Sequence, residues 1–351
     1  MLNKDQSQEV SGGSTAIQAG GNVSVINVGV TASEARAIAL DVAKSTFYEL
    51  SGTARELASY RVEEITDKVI DKLEREFPEG LQKAIDPDFQ YALLTVQKQY
   101  ARNGDKDLGD LLVDLLVDRS KQDQRDILQI VLNESLETAP KLTEAQLSNL
   151  ATIFLLRYTQ NQGIGNHQML GEYFDLNILP FSSKLTKSNA SYQHLEFAGC
   201  GTIQVTEISL EEIFYRTYPG LFLKGFDSSE IHNRAVSIGQ HPDFFIPCLN
   251  DQSKIQVRAN NKEILESMFT SYATPQDDRH KISLLFDLGM MSHDEIRQKC
   301  IDIRPYMASV FDIWNTSPMK SFTLTSVGIA IGHANIKRLV GEFANLSIWI
   351  N

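Results

Sequence analysis

An uncharged stretch of the sequence changes abruptly into a charged helical pattern near residue 31. No charged residue lies between Val10 and Ser33, and the apolar residues of this stretch alternate as in a β-strand. The apolar face changes sides from Val25 to Ile26, which indicates a bulge, a bend or burial on both faces. No second strand pattern follows to form a hairpin. Because a lone strand leaves backbone N–H and C=O groups unpaired, this segment needs a partner.

We expect that partner to be the same segment in other copies of the chain. Residues 1–13 are polar and are predicted to be a flexible leader, whereas residues 14–32 are predicted to be a β segment for assembly. Glutamine and asparagine side chains can form ladders between stacked identical strands. The residues assigned to oligomerisation are Ile17, Gln18, Asn22, Val23, Val25, Ile26 and Val28. The alternative is that the strand joins a sheet of the C-terminal part of its own chain.

The chain then has a long helical pattern. Ser33 is predicted as its N-cap, with Glu34 in the first turn, and no proline occurs before Pro78. Apolar residues recur at three- and four-residue steps to Leu73, which predicts one helix of about 40 residues, of the kind found in coiled coils. Gly52 is the point where this helix could bend or divide into two.

The rest of the chain predicts a helical bundle followed by a mixed region. We expect one domain at residues 33–176, with helices near 88–102, 105–119, 123–138 and 143–160. An α+β domain is expected at residues 177–351, so that the fold class is mainly α. Its strands are predicted at 195–206, 254–259, 320–324 and 345–350, and its helices near 209–217, 261–273, 275–288, 292–314 and 326–338.

The composition excludes several classes of function. A net charge of −12 opposes strong binding to nucleic acids, whose affinity for proteins depends on clustered Lys and Arg. The three cysteines are far apart and odd in number, so we expect buried thiols and not disulfides. No apolar run is long enough for a transmembrane helix, and no secretory signal is present. We therefore expect a cytoplasmic protein.

No motif in the sequence identifies an enzyme. The phosphate-binding loop, the H-E-x-x-H zinc motif and the G-x-S-x-G serine motif are all absent. We therefore assign no catalytic residue, metal site or cofactor. One loop rich in polar residues could bind an anionic ligand, and its candidate residues are His232, Arg234, His241 and Asp243.

The most distinctive C-terminal stretch is "SVGIAIGHANIKR", from Ser326 to Arg338. Thr325 is predicted to cap this helix. Gly328 and Gly332 are one turn apart, which permits close approach of a neighbouring element. Lys337 and Arg338 lie at the negative end of the helix dipole. We expect a packing role first and a ligand role second.

The leader and this C-terminal stretch together resemble an uncharacterised bacterial family with an I-Q-A-G-G leader ahead of a long helix. The resemblance implies an association with anti-phage defence genes, but it implies no catalytic residue. Ile17-Gln18-Ala19-Gly20 is also similar to the tetrad of RHIM-type amyloid motifs. It departs from them in the small Ala19 and in Asn22, which follows Gly20 by two positions where those motifs have three.

Two hypotheses about function follow. The first is a defence protein that assembles through residues 14–32 and acts as a sensor, scaffold or effector by binding proteins. Its partners would be itself and a second defence protein or a phage protein. The second is an effector enzyme that responds to a nucleotide or another small ligand, with its site in the C-terminal domain.

Overall fold

The computed structural model describes residues 29–46 and 52–350 of the 351 residues. The described residues up to Ser182 form helices joined by short connections. Its helices are α1 (Ala32–Thr46), α2 (Gly52–Glu76), α3 (Pro87–Asn103), α4 (Lys106–Ser120), α5 (Ile127–Thr138), α6 (Glu144–Tyr158), α7 (His167–Tyr173) and α8 (Leu179–Ser182). A π-helical turn, Phe174–Ile178, joins α7 to α8, and the 3₁₀ helix Pro78–Ile85 joins α2 to α3.

The second half adds four short strands. In chain order it contains α9 (Asn189–Phe197), β1 (Gly201–Ile203), α10 (Leu210–Thr217), α11 (Ser229–Asn233), β2 (Phe245–Pro247), β3 (Ile255–Val257), α12 (Lys262–Ser271), α13 (Gln276–Phe286), α14 (His293–Ile303), α15 (Met307–Thr316), β4 (Phe322–Leu324) and α16 (Ser326–Val340). β1 pairs antiparallel with β4, and β2 pairs antiparallel with β3. The predicted class, mainly α with some β structure, is confirmed.

The prediction of one helix of about 40 residues is wrong. Arg36 of α1 forms an ion pair with Asp67 of α2, with 2.5 Å between Nε and Oδ1. In one straight helix these residues would be about 45 Å apart, at 1.5 Å per residue. α1 therefore folds back along α2. Gly52 begins α2 with φ +56°, a left-handed conformation that glycine adopts without strain, and this fits the predicted break.

The first helix also begins two residues earlier than predicted. Thr31 Oγ1 accepts a hydrogen bond from the Glu34 backbone N–H, and the Glu34 carboxylate accepts one from the Thr31 backbone N–H. These reciprocal bonds form a capping box, so Thr31 is the N-cap. The prediction that Ser33 caps the helix is wrong, because the Glu34 carboxylate reaches back to Thr31.

The other helices and strands predicted from the sequence are present in the structure, with three exceptions. Pro305 divides the predicted helix 292–314 into α14 and α15, because proline excludes a helical conformation of the residue before it. Residues 195–197 belong to α9, so the predicted first strand shortens to β1. The predicted strand 345–350 is wrong: Leu346–Ile348 is a 3₁₀ helix, whose first turn is capped by the Asn345 side chain.

The main core of the described residues joins both halves of the chain. α16 packs on α4, α5 and α6, so the last long helix fills the bundle that the earlier helices begin. A smaller apolar cluster lies farther along the chain and includes Phe226, Phe245, Phe269 and Phe286. The predicted division at residues 176 and 177 stays a prediction. The three cysteines are buried and unpaired, as predicted.

Candidate functional site: a pocket beside the C-terminal helix

Close packing of two glycines fixes the position of α16. A Cβ atom at Gly328 would lie 1.9 Å from the Cys200 carbonyl oxygen, and one at Gly332 would lie 3.0 Å from the Leu150 carbonyl oxygen. Thr325 caps the helix through the Gly328 N–H. These contacts confirm the predicted packing role of the stretch. They also orient another face of the helix, with His333 and Lys337 one turn apart, towards the end of α4.

That face borders a cavity of about 380 Å³. The end of α4, the first turns of α5, α16 and residues 343–347 surround it; we call it the C-terminal pocket. Its polar wall includes Asp118, Lys121 and Lys337, and its apolar wall comes mainly from leucines of α5 and from the C-terminal segment. Small-molecule binding sites are commonly cavities of about 300–1,000 Å³, so this pocket has the size of such a site.

One carboxylate holds both lysines of the pocket. The Asp118 side chain contacts Lys121 Nζ at 2.8 Å and Lys337 Nζ at 3.0 Å. Burial acts to raise the pKa of Asp118, but the charges and hydrogen bonds of the two lysines outweigh it and lower the pKa below its usual value. Asp118 is therefore ionised at neutral pH. Two positive charges then face one negative charge.

His333 lies beneath this cluster and is 2% exposed. Its Nε2 is 2.7 Å from the Ala344 carbonyl oxygen, which can only accept a hydrogen bond, so Nε2 carries the proton. Burial lowers the pKa of His333 and keeps the ring neutral. Nδ1 is then an acceptor, and it has no hydrogen-bond partner among the described residues.

The C-terminal segment after α16 forms the cover of the pocket. It leaves the helix at Gly341, whose φ of +102° favours glycine. Phe343 and Trp349 stack with their ring centroids 6.0 Å apart, and Trp349 Nε1 donates a hydrogen bond to the Tyr158 carbonyl. Neither aromatic residue was predicted to be part of a site, and Trp349 lies in the stretch 345–350 for which a strand was predicted.

The predicted ligand loop does not contribute to this pocket. Arg234 forms an ion pair with Glu230, with 3.4 Å between Nε and Oε2. His241 Nδ1 lies 3.6 Å from Asp243 Oδ2, and Arg258 approaches the same carboxylate at 3.9 Å. His232 is exposed on α11. The structure thus brings His241 and Asp243 together, pairs Arg234 with a different residue, and leaves the ligand role of the loop a prediction.

The body of the protein also fixes the point where the N-terminal segment ends. The Val30 N–H donates to Gln82 Oε1 at 3.0 Å, and Gln82 Nε2 donates to the Val30 carbonyl at 3.4 Å. The predicted oligomerisation residues Ile17, Gln18, Asn22, Val23, Val25, Ile26 and Val28 lie outside the described residues.

The described residues contain neither a candidate metal site nor a membrane-spanning helix. Across residues 29–46 and 52–350, no group of three or more His, Cys, Asp or Glu side chains could hold a metal ion. In the same ranges, the helices are either too short or too polar to span a membrane.

Comparison with known proteins identifies a family but no activity. A protein-family model, whose description reads only ":-like", matches residues 29–350. The chain belongs to this family. The matched range includes α16 and the C-terminal pocket, whereas residues 1–28 lie outside it. No curated protein and no solved structure matches the chain.

Proposed function

We propose that the protein is a self-assembling protein of bacterial anti-phage defence. In this proposal, residues 14–30 pair with the same residues of other copies, and the protein acts as a sensor, scaffold or effector through protein contacts. The observation that carries the proposal is the pair of hydrogen bonds between Gln82 and the backbone of Val30. They attach the uncharged segment to the helical body at its last residue.

This attachment favours assembly because Val30, the last residue of the uncharged segment, is held on the helical body. Thr31 caps α1 directly after Val30, so each copy presents its segment from the same place. Identical presentation reduces the conformational entropy that is lost when strands pair between subunits. Gln18 and Asn22 would form side-chain ladders in such a stack. The result would be either a closed oligomer or a filament.

α1 supports the same proposal through the way it is held. Its buried face consists of Ala35, Ala39 and Ala43, which bury little apolar area and allow close approach to α2 and α3. Polar contacts add to this packing: buried Gln97 donates to the Ala39 carbonyl at 3.2 Å, and Arg36 pairs with Asp67. α1 is therefore held against the bundle along the length of the helix, and it attaches the assembly segment to the bundle.

The role in defence comes from the resemblance of the leader and the C-terminal stretch to proteins encoded among anti-phage genes. That context suggests a second defence protein or a phage protein as a partner. An assembly segment on a helical body suits a protein that is activated when copies come together.

Two truncations test the assembly proposal. We expect the full chain and a chain that begins at Ser14 to form the same oligomer in mass photometry, because residues 1–13 are only a polar leader. A chain that begins at Gly29 keeps the Gln82 contacts and the Thr31 cap, and should be a folded monomer. An oligomer of unchanged size from the Gly29 chain would contradict the proposal.

A further inference from the structure

We propose that the C-terminal pocket binds a small organic anion, a carboxylate or phosphate joined to an apolar or aromatic body. This inference concerns a different part of the molecule from the assembly segment and does not depend on assembly. It rests on the cavity of about 380 Å³, on the charges of its polar wall and on the apolar character of the opposite wall.

The charges favour an anion. Lys121 and Lys337 face Asp118, so the three side chains together carry one net positive charge. Lys337 Nζ contacts only this carboxylate among its described partners, and an ammonium group has three N–H donors. A donor therefore remains for a second anionic group. Asp118 would hold the two ammonium groups in place.

The opposite wall favours an apolar body on the ligand. Leu128 and Leu132 of α5 and Phe343 and Leu346 of the C-terminal segment line the cavity. Phe343 is fixed by its stacking on Trp349 and by its edge contact with His333, at 5.6 Å between ring centroids. An inorganic anion alone would leave this apolar wall in contact with water, whereas a ring or short chain would cover it.

Buried His333 adds an observation that the ion pairs do not explain. An ion pair between Asp118 and one lysine would be enough to join α4 to α16. The neutral ring of His333, 2% exposed, instead leaves Nδ1 as a hydrogen-bond acceptor without a donor among the described residues. Buried polar atoms are normally paired, so the unpaired Nδ1 of this ring is an exception to that rule close to the Asp118 cluster.

The test measures binding of simple probes to the full chain. Phenyl phosphate and benzoate carry the two proposed anionic groups on one ring, and benzylamine carries the opposite charge on the same ring. Isothermal titration calorimetry and thermal denaturation should show both anions binding at concentrations below about 10 mM. Benzylamine should not bind.

Three lysine variants locate the binding. K337Q and K121Q should each weaken the anions about tenfold, because each removes a charge-assisted hydrogen bond. K187Q is the matched control: Lys187 pairs with Asp312 at 2.6 Å but lies outside the pocket, so its affinity should equal that of the unchanged protein. Circular dichroism checks that each variant is folded. If K337Q is unfolded, the test depends on K121Q alone.

Three results would overturn the inference. They are no binding of either anion at about 10 mM, unchanged affinity in the folded pocket variants, and equal binding of benzylamine. None of them bears on assembly, because the assembly test reads particle size and the pocket test reads ligand affinity.

Discussion

At the scale of single residues, the Asp118 carboxylate joins two lysines from distant parts of the chain. Lys121 follows the end of α4, and Lys337 comes from the last turn of α16, 219 positions from Asp118. The sequence predicts Lys337 at the negative end of its helix, which is its position in the structure. It cannot predict Asp118 as the partner, because nothing local relates α16 to α4.

Replacing Asp118 by asparagine should show how much this carboxylate contributes to the free energy of unfolding and how that contribution depends on pH. At pH 7, D118N should lower the free energy of unfolding by about 1–3 kcal/mol, because two lysines lose their charged partner. The pKa of Asp118 is lowered in the folded protein, so its stabilisation is present above the pKa of the unfolded chain and is lost as pH falls through the folded pKa.

Urea unfolding of D118N and the unchanged protein measures this difference. The difference should be constant above pH about 5 and should shrink at more acidic pH. D312N is the matched control, since Asp312 forms an exposed pair with Lys187 and should contribute less than about 1 kcal/mol. Equal effects of the two variants at pH 7 would show that the cluster around Asp118 has no special role.

Other single residues show where prediction from sequence ends. Thr143 and Gln146 have the three-residue spacing of a capping box and form one, because both partners lie within one turn. His333 has no such local signal. Its burial and the bond to Ala344 depend on the path of the chain after Gly341, and no local pattern in the sequence predicts that path.

At the scale of elements, glycine and proline positions decide where helices end and how closely they pack. Gly52 begins a second helix within the pattern that predicted one, and Pro305 separates α14 from α15. The apolar periodicity continues across both positions, so it predicts the faces of the helices correctly but their ends incorrectly. Backbone conformation determines the ends, and periodicity contains little information on it.

The two glycines of α16 provide a test of close packing. G328A should lower the free energy of unfolding by more than about 2 kcal/mol, because its Cβ would lie 1.9 Å from the Cys200 carbonyl oxygen. G332A should cost less, because its Cβ would lie 3.0 Å from the Leu150 carbonyl oxygen. Alanine favours a helix equally at both sites, so the difference measures packing.

Chemical denaturation of the two variants gives that difference directly. A smaller effect for G328A than for G332A would mean that β1 and α16 move apart easily. Such a result would also weaken the case that α16 is held firmly beside the C-terminal pocket.

At the scale of the whole molecule, the chain closes its main core by returning its last long helix to the first bundle. α16 contacts α4, α5 and α6, and Arg338 pairs with Asp107 at 2.7 Å and with Glu144 at 3.1 Å. The sequence predicts the helices of the bundle and of the C-terminal part, but not this arrangement. Contacts between residues some 200 positions apart leave no periodic signal in a single sequence.

The helical body holds the last residue of the uncharged N-terminal segment in a fixed position. The segment ends at Val30, where Gln82 binds the backbone, and α1 begins at once. Copies of the body would therefore present their segments in one orientation. We propose that pairing of these segments, and not contact between the bodies, holds copies together.

A proline placed within the segment tests this claim most directly, by mass photometry of the full chain. V25P removes a backbone N–H donor and should disrupt strand pairing between subunits, whereas S7P places the same residue in the polar leader as a matched control. Neither change touches the described body, whose helix content should be unchanged in circular dichroism. V25P should be a monomer, and S7P should form an unchanged oligomer. An oligomer of full size from V25P would contradict the claim.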